Sequence, residues 1–166
     1  MQTKLQNPKK KLFSIFAVLL VISLTIPITT LQTATAHDPP WDIVSFAYVT
    51  AAPNPVGVGQ TAYVYIWVDL PPSGASINND IRRSGYTLTI TDPDGTNKTQ
   101  SWDRIDDTTG IQAYSFTPDK IGEYILTFNY AGQTHTWSGA YNGDKYQPAQ
   151  AVTKLTVQEE AIQGIT

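Results

Sequence analysis

The sequence predicts an all-β fold, a β-sandwich of about seven strands that follows a signal peptide. From His37 onward, apolar and polar side chains alternate in short runs, which is the period of a strand with one buried face. Pro, Gly, Asn and Asp interrupt these runs at the spacing of turns. No stretch in this region has the 3.6-residue apolar period of a helix, so we do not expect a parallel sheet built from alternating strands and helices.

The first 36 residues have the pattern of a secretory signal peptide. Four lysines and no acidic residue fall within the first eleven positions, and an uncharged run covers residues 12–28. Ala34-Thr35-Ala36 supplies the small residues of a cleavage site. An uncleaved anchor is the alternative, but the run has only 17 residues and contains Pro27, so it is short for a spanning helix. Both interpretations predict an extracellular or cell-surface location. Contact with the membrane is expected only if the leader is not cleaved.

Composition excludes several classes of function. Residues 37–166 hold all 14 acidic residues and seven of the 11 basic ones, a net charge of −7, so nucleic acid is not an expected partner. The chain has no Cys, which excludes a disulfide scaffold, a Cys-ligated zinc site and a thiol nucleophile. Nucleophilic triads and nucleotide-binding motifs are absent from the sequence, so we expect no enzymatic activity.

Seven runs alternate clearly enough to be predicted as strands. In TAYVYIWVDL (residues 61–70), aliphatic side chains occupy one face and Tyr63, Tyr65 and Trp67 occupy the other. A polar loop is expected at residues 73–83, where Arg82-Arg83 is interpreted as a solvated basic pair. Asp92-Pro93-Asp94-Gly95 predicts a tight hairpin turn, since Pro presets φ at its second position. The predicted strands are residues 43–49, 61–70, 86–91, 96–102, 111–116, 123–130 and 151–157.

One turn specifies the type of sandwich. FTPDKIGEY (residues 116–124) resembles the corner between strands E and F of immunoglobulin-like domains, where a Tyr at the start of strand F hydrogen-bonds back across the turn. Leu126 stands where antibody domains carry a disulfide Cys, so the resemblance is to the wider sandwich class. The fold class is therefore predicted as an immunoglobulin-like β-sandwich over residues 37–158.

Further motifs resemble one group of proteins. These are AHDPPW (residues 36–41), APNPVGVGQ (52–60), TDPDGT (91–96) and FTPD (116–119). Together they are similar to the N-terminal immunoglobulin-like domain of secreted archaeal surface proteins, which often precedes a β-propeller-like repeat region. The resemblance covers nearly all of residues 37–160 and implies a cell-surface module without catalysis. Residues 159–166 resemble the start of an interdomain linker, so both a stand-alone domain and a piece of a longer protein are open.

Two groups of aromatic residues are candidate ligand-binding surfaces. The outward row Tyr63, Tyr65 and Trp67 offers ring faces to a sugar or a partner protein, unless cross-strand neighbours cover it. Residues 133–147 combine Trp137, Tyr141 and Tyr146 with Gly, Asn and Asp, a composition typical of binding loops. A longer hairpin with packed aromatics is the alternative for this second group.

Metal binding is the subject of two further hypotheses. Cleavage after Ala36 would make His37 the first residue, and its α-amine and ring would suit Cu(II), with His135 completing the site. Some copper monooxygenases and carriers with a sandwich fold resemble the chain in their N-terminal His. Acidic residues at positions 92, 94, 103, 106 and 107 suggest Ca²⁺, but they lack the spacing of a known loop, and a solvated acidic surface is the favoured interpretation.

The sequence thus favours a secreted binding or structural module that contacts glycan or a cell-surface protein and needs no cofactor. A copper redox protein that uses His37 and His135 is one alternative, and a passive spacer domain of a larger surface protein is another. Asn97-Lys98-Thr99 is a glycosylation sequon beside the predicted turn, so Asn97 is a candidate attachment site.

Overall fold

The computed structural model describes Lys9, Phe13, residues 15–20 and residues 36–164. The described residues before position 21 are helical, and the rest of the predicted signal peptide up to residue 35 lies outside the described residues. The chain divides into two compact units, Met1–Thr35 and Ala36–Thr166. Within the described residues, no helix has the length and apolar character that crossing a membrane requires.

Residues 36–164 form an all-β unit, as the sequence predicts. Seven strands have five or more residues, and four short strands have two residues each. In chain order the strands are β1 (Asp42–Ile43), β2 (Ala47–Ala52), β3 (Val56–Gly57), β4 (Ala62–Val68), β5 (Tyr86–Thr91), β6 (Asn97–Trp102), β7 (Gln112–Phe116), β8 (Gly122–Tyr130), β9 (Gln133–Thr134), β10 (Lys145–Tyr146) and β11 (Ala149–Gln158).

The strands form three sheets. The five-stranded sheet has the order β3-β11-β8-β5-β6, and the sheet β2-β4-β7 faces it across one core. Pairing within these two sheets is antiparallel except between β3 and β11. The third sheet, β1-β10-β9, is small, and β1 runs parallel to β10 in it.

Alternation along the strands builds the core. In β4 every second side chain from Ala62 to Val68 is buried, and β5 and β8 bury alternate side chains in the same way. The Phe116 ring of β7 meets the Tyr124 ring of β8 edge-on at 5.4 Å, which joins the two facing sheets. Each fully buried Leu, Ile or Val contributes about 1.5–3 kcal/mol, so these alternating faces account for a unit that has no disulfide.

The first predicted strand is wrong in one respect, because residues 43–49 do not form one strand. Ile43 ends β1, and the chain changes partner before β2 begins at Ala47. In the break Ser45 is buried and Phe46 is exposed, which is the reverse of what the polarity of the two side chains predicts. Phe46 exchanges hydrogen bonds with Asp69, whose main-chain N donates to the Phe46 carbonyl at 2.9 Å and whose Oδ1 accepts from Phe46 N at 3.0 Å.

The predicted corner between β7 and β8 is confirmed by its hydrogen bonds. The Tyr124 hydroxyl accepts from Lys120 N at 3.0 Å and donates to Asp119 Oδ1 at 3.2 Å. Gly122 has φ +134°, and a Cβ there would lie 2.9 Å from Pro93 Cγ, so only glycine fits between the corner and the hairpin turn. The corner thus ties β8 to the Asp92–Gly95 turn, whose Asp92 and Asp94 both contact Lys120 Nζ.

The segment after β11 packs on the domain. Gln60 accepts a hydrogen bond from Ile162 N at 2.8 Å and donates one to the Ile162 carbonyl at 3.2 Å. Its Oε1 also accepts from Gly57 N at 3.0 Å. The first residues of the predicted linker-like tail, 159–162, are therefore attached to the β3 region.

We expect Tyr124→Phe to lower the free energy of unfolding by about 1 kcal/mol, because Lys120 N and Asp119 lose their partner while the ring contact with Phe116 stays. Urea unfolding of the variant and of wild type measures the change. Tyr114→Phe is the matched control, since no hydrogen bond of the Tyr114 hydroxyl is seen among the described residues. Equal destabilisation by both variants would contradict this role of the corner.

Candidate functional site

The candidate site lies where the N-terminal segment, residues 36–43, runs along the connection between β8 and β11, residues 131–148. Three main-chain hydrogen bonds join them: His37 N to the Ala140 carbonyl at 3.1 Å, Lys145 N to Trp41 at 2.8 Å and Gln147 N to Ile43 at 2.8 Å. Two short strands, β1 and β10, form because these bonds repeat in register. The connection is thus neither an open loop nor a simple hairpin extension.

A buried carboxylate fixes this junction. Asp144 is fully buried, and its Oδ1 accepts from Trp41 N at 2.9 Å. Its Oδ2 lies 2.9 Å from His37 Nδ1. Burial raises the pKa of the Asp144 carboxyl, but the hydrogen bonds from Trp41 and His37 and the nearby imidazoles of His37 and His135 outweigh it, and the pKa falls below its usual value. Asp144 therefore holds the N-terminal segment as a carboxylate.

Five rings form one continuous group, which we call the aromatic cluster: Trp41, His37, Tyr141, His135 and Trp137. His37 stacks on Trp41 at 3.6 Å, and both His rings meet Tyr141 edge-on, at 5.8 and 6.0 Å. His135 meets Trp137 at 5.2 Å. Trp41 and Tyr141 are 58% and 41% exposed, and Trp137 is half-buried, so aromatic surface from two distant chain segments faces solvent together.

Sequence reasoning identified four members of the aromatic cluster but missed Trp41. It used AHDPPW only as a motif of family resemblance, and only the pairing of β1 with β10 brings Trp41 onto the connection. The available signal was an aromatic residue four positions after a candidate functional His.

The prediction that Tyr146 lies on an exposed binding surface is wrong. Tyr146 is 3% exposed, and its hydroxyl donates to Ser73 Oγ at 3.0 Å and accepts from Ser73 N at 2.8 Å. Its ring lies under the Arg83 guanidinium, 4.0 Å from centroid to Cζ. Because β10 turns this side chain inward, Tyr146 is part of the core.

Arg83 is the second correction, since it is 1% exposed and not solvated. Its Nη1 donates to the Tyr130 hydroxyl at 2.9 Å, and its Nη2 donates to the Leu70 carbonyl. Burial raises the pKa of Tyr130 to about 12 although the guanidinium opposes the rise, so the phenol stays neutral as the acceptor. A sequence of two adjacent arginines gives no sign that one points inward.

The copper hypothesis does not fit the donor atoms. His37 Nδ1 is bonded to Asp144, and the His37 main-chain N is bonded to Ala140. His135 is 2% exposed and uses Nε2 on the Ser73 carbonyl at 3.0 Å, while its Nδ1 has no partner among the described residues. Within residues 36–164 and the described part of the leader, no group of three or more His, Asp or Glu could hold a metal ion.

Three of the five acidic residues considered for Ca²⁺ are engaged elsewhere. Asp92 and Asp94 both contact Lys120 Nζ, and the hydrogen bond from Lys120 lowers the pKa of Asp92. Asp107 accepts from Thr109 N at 2.7 Å within its own turn. Lys120 thus supplies the positive charge that pairs with Asp92 and Asp94.

The outward row on β4 is partly covered. Trp67 is half-buried and stacks on Tyr48 of β2 at 5.2 Å, as the cross-strand alternative expects. Tyr63 and Tyr65 remain 49% and 38% exposed. Tyr63, Tyr65 and Trp67 therefore form a second aromatic surface on a different part of the domain, apart from the connection.

We expect Asp144→Asn to loosen the N-terminal segment, because the amide lacks the charge that pairs with His37. The amides of Trp41, Lys145 and Gln147 should exchange hydrogen about tenfold faster, as for loss of one charge-assisted bond. Asp38→Asn is the matched control, since it removes the same charge from an exposed position of the N-terminal segment. Unchanged exchange in the Asp144 variant would contradict the role of the carboxylate.

No protein-family model matches the chain, and no curated protein matches it significantly. The site is an aromatic surface on a fixed main chain, and one buried carboxylate attaches the N-terminal segment to it.

Proposed function

We propose that the chain is a secreted or cell-surface immunoglobulin-like module that binds glycan or a protein partner through the aromatic cluster. The observation that carries the proposal is the joint exposure of Trp41, Tyr141 and Trp137 from separate chain segments. Aromatic rings bury large area at low entropic cost, which makes them effective contact residues. A fixed main chain beneath them reduces the entropy lost on binding.

Strand order supports the immunoglobulin-like assignment. If β2, β4, β5, β6, β7, β8 and β11 are lettered A, B, C, C′, E, F and G, the two facing sheets read A-B-E and G-F-C-C′. Immunoglobulin-like domains divide their strands in the same way, apart from strand D. The Tyr124 hydrogen bonds at the start of strand F are a second feature of this class.

The position of the aromatic cluster supports a binding role. In this lettering the connection 131–148 is the F–G loop and residues 69–85 are the B–C loop. In variable domains these loops, with the loop after C′, form the antigen-binding end. His135 bonds to the Ser73 carbonyl, so the two loops contact each other here as well.

Other features of the proposal come from the sequence. The leader pattern supports export, and the motifs similar to secreted archaeal surface proteins support a cell-surface role. The sequence carries no catalytic motif, and we propose no catalysis. A passive spacer and a contact surface at Tyr63 and Tyr65 are the rival functions that the next experiment separates.

We expect Trp137→Ala and Tyr141→Ala each to weaken binding to an immobilised panel of neutral and acidic oligosaccharides by about tenfold, since one lost aromatic contact is worth about 1–2 kcal/mol. Tyr63→Ala and Tyr65→Ala are matched controls from the outer face and should bind as wild type. Circular dichroism checks that each variant is folded. Loss confined to the control pair would move the site to the outer face, and absence of any binding by wild type would favour the spacer.

We also propose Asn97 as a glycosylation site. It is exposed at the start of β6, and its Oδ1 accepts from the Thr91 hydroxyl at 2.6 Å, which leaves its amide nitrogen accessible. Intact mass of the secreted protein should exceed that of the mature sequence, and Asn97→Gln should remove the excess. Equal masses would contradict the proposal.

A further inference from the structure

We propose that a groove beside Trp137 binds a sugar residue that bears a carboxylate, of the uronic acid type. This inference rests on the proposed glycan-binding function and names the class of ligand. The groove has a volume of about 490 Å³ and is lined by residues from three loops. All three arginines of the chain, Arg82, Arg83 and Arg104, line it. Such a concentration is notable because residues 37–166 carry a net charge of −7.

The groove is held in shape before any ligand arrives. Arg82 donates from Nε to the Asp106 carbonyl at 2.8 Å and from Nη1 to the Ser76 carbonyl at 3.1 Å. Gln133 Nε2 donates to the Arg82 carbonyl at 2.8 Å, and Ile105 N donates to the Arg83 carbonyl at 2.8 Å. These bonds connect the B–C loop to both other loops, so binding does not have to order them.

Arg104 presents the donors for a carboxylate. Its side chain is 53% exposed, and its one hydrogen bond among the described residues runs from Nε to Asp106 Oδ1 at 3.3 Å. The Asp106 side chain is itself 96% exposed. Such an exposed pair contributes little. Both terminal nitrogens of Arg104 have no partner among the described residues, and their planar fork suits two parallel bonds to a carboxylate.

The floor adds a buried donor and a buried acceptor. Arg83 is 1% exposed, and its Nε has no hydrogen-bond partner among the described residues. Gln133 Oε1 is also buried without a partner. Buried polar atoms are nearly always paired, so two unpaired atoms on residues that line one groove mark a local shortage of hydrogen-bond partners beside it.

The remaining lining favours a sugar acid over an anion without hydroxyl groups. Asp80 and Asp103 also line the groove and would repel a phosphate or a polyglutamate. The same carboxylates accept hydrogen bonds from hydroxyl groups, which every residue of a uronic acid oligosaccharide carries beside its carboxylate. Half-buried Trp137 supplies a ring face at the wall for the apolar side of the sugar ring.

Isothermal titration of the purified protein with trigalacturonic acid tests the inference, and neutral cellotriose and hexaglutamate are the comparison probes. We expect wild type to bind trigalacturonic acid and to bind cellotriose at least about tenfold more weakly, since the bidentate arginine contact is lost. Arg104→Gln should weaken trigalacturonic acid binding about tenfold. Lys98→Gln is the matched control, because it removes one exposed positive charge from β6 outside the groove.

Three results would overturn the inference. They are no binding of trigalacturonic acid, equal binding by wild type and Arg104→Gln, or hexaglutamate binding as tight as that of the sugar. Cellotriose binding that matches trigalacturonic acid and depends on Trp137 would also reject the carboxylate while leaving the proposed function intact. Failure of the whole oligosaccharide panel rejects the proposed glycan binding itself, so the two failures are distinguishable.

Discussion

The arrangement of the loops that follow β4, β6 and β8 depends on the contacts of the buried Arg83 guanidinium. The guanidinium bonds to Tyr130 at the end of β8 and to the Leu70 carbonyl after β4, and it lies on the Tyr146 ring of β10. Gly110, with φ +81°, packs against it so closely that a Cβ would lie 2.9 Å from Arg83 Cγ. Arg83 has no carboxylate partner among the described residues, and neutral acceptors with an aromatic face replace one. Its charge is therefore not neutralised by a carboxylate within the described residues.

Asp144 is the second buried charge of this region, and it directly precedes β10. Arg83 organises the loops that follow β4, β6 and β8, while Asp144 attaches the N-terminal segment and with it Trp41. The positive group thus borders a polar groove, and the negative group supports an aromatic surface, with Trp137 belonging to both. Two buried charges that act on different loops give one end of the molecule both a polar and an aromatic contact surface.

Local patterns predicted much of the sheet framework. Alternation identified β4 and its buried face, Asp92–Gly95 predicted the hairpin, and the spacing before Tyr124 predicted the corner bond. Contacts between distant segments escaped prediction. Pairing of β1 with β10 splits the first expected strand, and the inward turn of Arg83 and Tyr146 involves partners as far as 47 and 73 positions away. Residue type alone indicates exposure for Arg and leaves Tyr undecided, so the tertiary fold settles both positions.

The most direct test of this account is the map of amide chemical-shift changes when isotope-labelled protein is titrated with trigalacturonic acid. The account predicts that changes concentrate at Arg82, Arg104 and residues 133–137, and that the amides of Tyr63 and Tyr65 stay unchanged. Changes centred on the outer face of β4, with none in the three loops around Arg83, would contradict it.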